Sequence, residues 1–221
     1  MPDADRTLAA VLDNLKNRVC EASREMARAG LVRLTWGSVS AIDREMKLVV
    51  VTPVNVGDGE LRPQDQVIVD FAGRVVQGNQ QPSPDVPAHL ALYRRFAPIG
   101  GIAHCHSVFA TIFAQARRGI EPLGAMHTDF FAGAIPITRD PRTGGQVQAE
   151  AAGIGEVLAK CLDDSDVFAV PGALVPGDGP FAWGRTAWEA VRYAKALEAV
   201  AETALGTFLL GGGGAPAVSP R

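Results

Sequence analysis

The sequence predicts an α/β layered sandwich, a mainly antiparallel central sheet flanked by helices. Three observations carry that expectation. The chain opens on an amphipathic stretch in which Leu8, Val11, Leu12, Leu15 and Val19 recur at helical spacing. Short β-rich runs separated by Gly, Asp and Pro follow, as antiparallel neighbours require. A second long helical stretch, from about Thr186 to Leu209, comes near the end. At 221 residues the chain fits one sizeable domain with a substantial core, expected over 1–210 with a Gly- and Pro-rich tail at 211–221.

The elements are expected in this order. The first helix runs from about Asp5 to Ala29, with Gly30 as its stop. Strands are expected in "LVRLTW", "KLVVVT" and "QVIVDFAG". The loop "GNQQPSPDVP" leads to a short helix, His89 to Phe96, and then to the apolar run "GGIAHCH". Ser107 is a natural N-cap for the helix "VFATIFAQAR". A further helix covers about Gly145 to Cys161, "DVFAVPGALV" supplies strand material, and "GPFAWG" turns into the last long helix. The final "GGGGAPAVSPR" loses too much backbone freedom on ordering and reads as a flexible tail.

Charge excludes some partners. Lys and Arg total 21 against 24 Asp and Glu, a net −3 with no basic block, which argues against nucleic acid or an anionic membrane. The N-terminus is charged and helix-periodic, and no stretch approaches the roughly 18 apolar residues of a membrane span. A soluble, cytoplasmic protein is expected. Cys20, Cys105 and Cys161 are scattered, odd in number and lack CxxC spacing, so reduced thiols are expected rather than disulfides or a cysteine zinc site.

Two of the four histidines, His104 and His106, form an HxH pair. On a strand, the period of two puts both on one face and Cys105 on the other, in the core. Two imidazoles can then share one ion or simply hydrogen-bond at a strand end. Asp85, just before a helix, is either a carboxylate ligand or an N-cap for backbone N–H groups.

The blocks "TWGSVSAIDRE", "DVPAHLALYRRFAPIGGIAHCHSVFATIFAQA", "PLGAMHTDFFAGAIPITR" and "GPFAWG" occur in this order. Together they resemble the class II aldolase/adducin family, most closely its L-ribulose-5-phosphate 4-epimerase branch, over about residues 5–210. The resemblance implies a class II aldolase-like sandwich and a divalent metal, commonly zinc, held by Asp85, His104 and His106. It implies a last ligand immediately before "GPFAWG", where the family has a histidine and this chain has Asp178. That position is filled by Asp178, by water, or not at all. His89 and His127 match histidines to which the family gives no principal ligand role.

The chemistry implied is stabilisation of an enediolate formed when a carbon–carbon bond beside a carbonyl breaks, with the cation as Lewis acid. Two carboxylates and two imidazoles would bring the site to zero net charge, favouring tolerance of Mn, Fe or Co beside Zn. Asp129 matches a proton-exchanging aspartate; the alternative is a turn Asp bound to backbone. The flanking Phe130 and Phe131 suggest an apolar setting that would raise its pKa. Two departures stand out. The tail lacks the tyrosine that the epimerases use, and the phosphate-gripping residues read Ser38, Thr52, Val54, Asn55 and Ser83 without a lysine. Ser38, Ser83, Thr52 and Asn55 remain candidate substrate contacts.

The expectation is therefore a metal-dependent lyase or epimerase on a small hydroxy-carbonyl compound without a standard phosphate, with one divalent ion per subunit. By the same resemblance, it would be a homotetramer with sites at subunit interfaces. Trp36 and Trp183 are expected in the core and Trp188 at a subunit contact. The alternative is a non-catalytic or binding member of the fold.

Overall fold

The computed structural model describes residues 2–34, 37–54, 61–142, 150–162 and 166–211. Six α-helices are described: α1 (Pro2–Arg28), α2 (Val86–Arg95), α3 (Val108–Gln115), α4 (Ala125–Phe130), α5 (Ala151–Cys161) and α6 (Ala187–Leu209). The strands are β1 (Gly37–Asp43), β2 (Leu48–Val51), β3 (Val67–Asp70), β4 (Val75–Gln77), β5 (Gly101–Cys105), β6 (Gly172–Leu174) and β7 (Pro180–Gly184). They form one sheet in the order β4-β3-β2-β1-β5-β7-β6, with each neighbouring pair antiparallel. The expected layered sandwich is therefore present.

Side-chain alternation divides the sheet between two helical layers. On one face Val49, Val51, Val67, Val69, Ile102, Phe181 and Trp183 pack with α2 and α5, through residues such as Leu92, Phe96, Ile154 and Leu158. On the other, Val39, Ala41, Val50, Ile68, Ala103, Cys105 and Ala182 meet α1 and α6 through Val19, Met26, Ala190 and Val191. Cys105 thus lies in the core, as its strand parity requires. Trp183 is fully buried and its indole N–H donates to the Val167 carbonyl at 2.7 Å. Trp188 is 54% exposed on α6, and Trp36 lies outside the described residues.

Several boundaries differ from expectation. Of the strand expected at "LVRLTW", the described residues 31–34 form no named strand: Leu34 adopts a left-handed φ of 59°, which ends extended structure, and β1 begins at Gly37. "GPFAWG" holds strand β7, an interior strand next to the β6 edge of the sheet, rather than only the approach to a helix. Its Pro and flanking glycines imitate a turn, but Phe181 and Trp183 alternate with Ala182 to serve both sheet faces. Helix α2 starts three residues early, at Val86, with Pro87 in its first turn, where a missing N–H costs nothing. Strand β4 and helix α4 are short elements that periodicity did not reveal. The expected start of α5 near Gly145, the candidate Asn55 and tail residues 212–221 lie outside the described residues.

The glycines of "GGIAHCH" have a steric reason. A Cβ on Gly101 would lie 2.3 Å from the backbone of Thr186 and Ala187, and one on Gly100 would lie 2.0 Å from the Arg185 carbonyl oxygen. Their absence lets the β7–α6 turn cross the start of β5, which fixes the strand that carries His104 and leads into His106.

Candidate metal centre

Strand pairing assembles the site. His104 is on β5, in register with Ser38 on β1 to one side and Phe181 on β7 to the other. Because β5 and β7 are antiparallel, the end of β5 lies beside the start of β7 and therefore beside the hairpin that joins β6 to β7. That hairpin is Val175–Gly179. It is closed by Val175 N–H to Gly179 carbonyl at 2.9 Å and Asp178 N–H to Val175 carbonyl at 3.1 Å, with Gly177 at φ +72°. Gly179 lets the turn approach, since a Cβ there would meet the Cys105 carbonyl oxygen at 2.6 Å. The turn delivers Asp178 to the two histidines.

His104 is 2% exposed and stacks on Phe181, with ring centroids 4.0 Å apart and an interplanar angle of 16°. Its Nδ1 lies 3.0 Å from the Pro180 carbonyl oxygen. A carbonyl only accepts, so Nδ1 carries the proton and Nε2 presents its lone pair. His106, just past the strand, is partly exposed, and its ring centroid is 5.1 Å from that of His104. Burial first, then the charge of His104, lowers the His106 pKa against the pull of Asp178 and Asp85, which favours a neutral ligand.

Asp178 Oδ2 is 3.8 Å from His104 Nε2, and Oδ1 is 3.5 Å from His106 Nε2. Ligand atoms of these three residues all lie within 4.8 Å of one another. Bonds of about 2.1 Å around a tetrahedral ion imply ligand–ligand edges of about 3.4 Å. The two Asp178–imidazole separations are long for hydrogen bonds and close to such edges. Asp178 Oδ2 is also buried without a hydrogen-bond partner. An orphaned buried carboxylate oxygen is costly unless something positive meets it, and a divalent cation between the three side chains would do so. The residues present fit a metal.

Asp85 stands next to this group rather than within that set of three. It occupies the N-cap position of α2 but makes no side-chain cap bond, so the capping alternative is not realised. Instead its Oδ2 accepts from Ser38 Oγ at 2.7 Å and Ser83 Oγ at 3.1 Å. Burial alone would raise its pKa. The charges of His104 and His89 and the two hydroxyls outweigh burial and hold it below the ordinary carboxylate value.

The other candidates fall as follows. Thr52 is buried, its Oγ1 accepting from Val39 N–H at 3.2 Å and its N–H donating to the Val39 carbonyl at 3.0 Å, so it ties β1 to the end of β2. Asp129 is exposed on α4, not on a loop, while Phe131 is fully buried. The apolar surrounding expected for Asp129 is therefore not provided by Phe131: the chain leaves the helix in an extended conformation at that residue, which turns its ring into the core while Asp129 stays exposed. His127 is buried, with Nε2 2.7 Å from the Gly133 carbonyl oxygen.

One residue, Glu198, gave no sequence signal. Ser107 begins α3 but its hydroxyl makes no local cap; it donates to Glu198 on α6 at 2.7 Å. Glu198 also accepts from the N–H groups of Phe109 and Ala110, each at 2.9 Å. A carboxylate 91 positions away thus caps the helix that follows His106. His89 is expected only to lack a principal ligand role, as a hydrogen-bonding or packing residue. Its ring proves to lie between Ser40 and Ser38, on the path to Asp85.

Known proteins share this framework. L-fuculose 1-phosphate aldolase superposes with a TM-score of 0.75 at 21% identity, over 94% of this chain and 91% of that one. YgbL of Escherichia coli gives 0.74 at 22% identity, over 94% of each chain. The L-fuculose-1-phosphate aldolase of Thermus thermophilus gives 0.71 at 23% identity, over 92% and 98%. Identities this low speak to the fold. The sequence itself matches the family described as the Class II Aldolase and Adducin N-terminal domain over residues 17–205, and the chain belongs to that family.

Proposed function

We propose that the protein is a metal-dependent carbon–carbon lyase of the aldolase type, or an epimerase sharing its first step. Its substrate would be a small hydroxy-carbonyl compound that is not a standard sugar phosphate. The carrying observation is the buried, orphaned Oδ2 of Asp178, on a carboxylate that faces His104 through Oδ2 and His106 through Oδ1. These three, with Asp85 at their edge, would hold one divalent cation per subunit, zinc in the first instance and Mn, Fe or Co as alternatives. Such a cation supplies Lewis acidity to a carbonyl and its neighbouring hydroxyl.

The chain's own groups supply the rest. His104 Nδ1–H on the Pro180 carbonyl holds that ring in the ligating tautomer. Cleavage requires loss of a proton from the hydroxyl β to the carbonyl. The bond between the two carbons then breaks, its electron pair moves to the carbonyl, and an aldehyde is released. Asp129 is the proposed carrier of that proton. Its exposure on α4 suits a group that serves a neighbouring subunit's site in a homotetramer. The case against phosphate is chemical. No lysine stands in the "TPVN" turn, Thr52 is tied into the sheet, and Ser38 and Ser83 both direct hydroxyls to Asp85, a partner that repels a dianion.

The test is metal analysis of the purified protein, followed by a screen of free and phosphorylated hydroxy-carbonyl compounds for cleavage with the aldehyde trapped. We expect one divalent ion per subunit and turnover confined to unphosphorylated compounds. Protein that takes up no divalent metal, or that turns over ribulose 5-phosphate at an ordinary enzymatic rate, would overturn the proposal.

A further inference from the structure

Five side chains form an unbroken hydrogen-bonded line from the core to the site. Tyr93 Oη lies 2.8 Å from Ser40 Oγ, and Ser40 Oγ lies 2.8 Å from His89 Nδ1. His89 Nε2 lies 3.3 Å from Ser38 Oγ, and Ser38 Oγ lies 2.7 Å from Asp85 Oδ2. Ser38, Ser40, His89 and Tyr93 are at most 1% exposed, so water does not substitute along the line.

We propose that this line is a one-way relay that positions Asp85, with His89 and Ser38 as positioning residues that aim its Oδ1 at the bound cation; this rests on the metal-site reading above.

Counting protons fixes its direction. Ionised Asp85 can only accept, so the single Ser38 proton points to Oδ2. Ser38 Oγ must then receive a proton from His89 Nε2. The His89 ring is buried and, donating through Nε2 as a neutral imidazole, has only an acceptor left at Nδ1. Ser40 therefore donates to Nδ1, and its oxygen is left to accept from Tyr93. Burial raises the Tyr93 pKa, so the phenol keeps the proton it donates. One carboxylate at the end orders every hydroxyl behind it.

The consequence at the site is asymmetry. Oδ2 takes two hydroxyl donors, from Ser38 and Ser83, while no protein donor is recorded for Oδ1 among the described residues. Saturating one oxygen and locking the rotamer leaves the other as the ligating atom, the arrangement in which outer partners strengthen a metal site. Ser38, whose place the resemblance gives to phosphate contact, turns its hydroxyl inward to the carboxylate instead.

The experiment is a Co(II) titration of metal-free protein, read by the visible absorption of the bound ion, for wild type, Asp85→Ala, Ser38→Ala, His89→Leu and Asp85→Ala/His89→Leu. Ser38→Ala and His89→Leu should each weaken binding by about 10–100-fold, the range for outer partners. The double variant should bind no more weakly than Asp85→Ala, because His89 acts only through Asp85. If wild type binds Co(II) and the two single variants match it, or if the His89 and Asp85 losses add, the relay is overturned and the metal site stands. If wild type does not bind Co(II), both are overturned. Should His89→Leu not fold, because it leaves two serines and a tyrosine unpaired, Ser38→Ala and the double variant Asp85→Ala/Ser38→Ala decide the matter by the same criteria.

Discussion

At the scale of single residues, the site is defined by what a carboxylate lacks. Asp178 stands where the family resemblance implies histidine, and its buried, partnerless Oδ2 is the atom that most needs a cation. Asp178→Ala should therefore weaken zinc binding by more than the roughly 10–100-fold typical of an outer partner, measured by competition with a chromogenic chelator. Unchanged affinity would assign that position to water. Asp129→Asn should lower turnover on a true substrate by about 10²–10⁴-fold with metal content intact. Wild-type turnover in that variant would remove Asp129 from the mechanism. A third expectation concerns acid. His89 has a folded pKa of about 4 against 6.5 in the unfolded chain, so between these values the unfolded state binds more protons and stability falls as pH falls. The loss from this group, complete near pH 4, is about 3 kcal/mol. Urea melts of metal-free protein should show a smaller loss between pH 7 and pH 5 for His89→Gln than for wild type. Equal slopes would mean that His89 is not the group responsible.

At the scale of elements, the end of β5 is held from two sides. Behind it, the Gly100–Gly101 pair admits the backbone of Arg185 to Ala187. Ahead of it, Glu198 of α6 fastens the first turn of α3 directly after His106. Glu198→Ala leaves three donors without their acceptor, so it should cost about 1–3 kcal/mol in urea unfolding. It should also weaken Co(II) binding, because His106 adjoins the released turn. Lost stability with unchanged metal affinity would show that α3 does not steer His106.

At the scale of the whole molecule, no described helix is long and apolar enough to cross a membrane. The described surface does carry large apolar side chains: Val108 and Ile112 one turn apart on α3, Met126 on α4 and Trp188 on α6. With the family resemblance, they support the proposed homotetramer. Light scattering should give a mass near four times 23.2 kDa. A monomer that is active would rule out a proton carrier supplied by the next subunit.

The sequence alone determined the parts with a local signature. Helical periodicity marked α1, a long helical stretch marked α6, two β-rich runs marked β2 and β3, an apolar run marked β5, and the HxH spacing marked His104 and His106. Its four ordered blocks pointed to the family to which the chain belongs. Tertiary structure decided what depends on pairing between distant segments. Strand β7 looked like a turn until its alternate large residues met both sheet faces. Asp85 had the position of a cap, and only the approach of β1 turned it toward Ser38. Glu198, His89 and Asp178 reach their partners across at least 88, 49 and 72 positions of chain respectively. Residue spacing specifies geometry only within one element; across elements it is the packed sheet that sets which side chains meet.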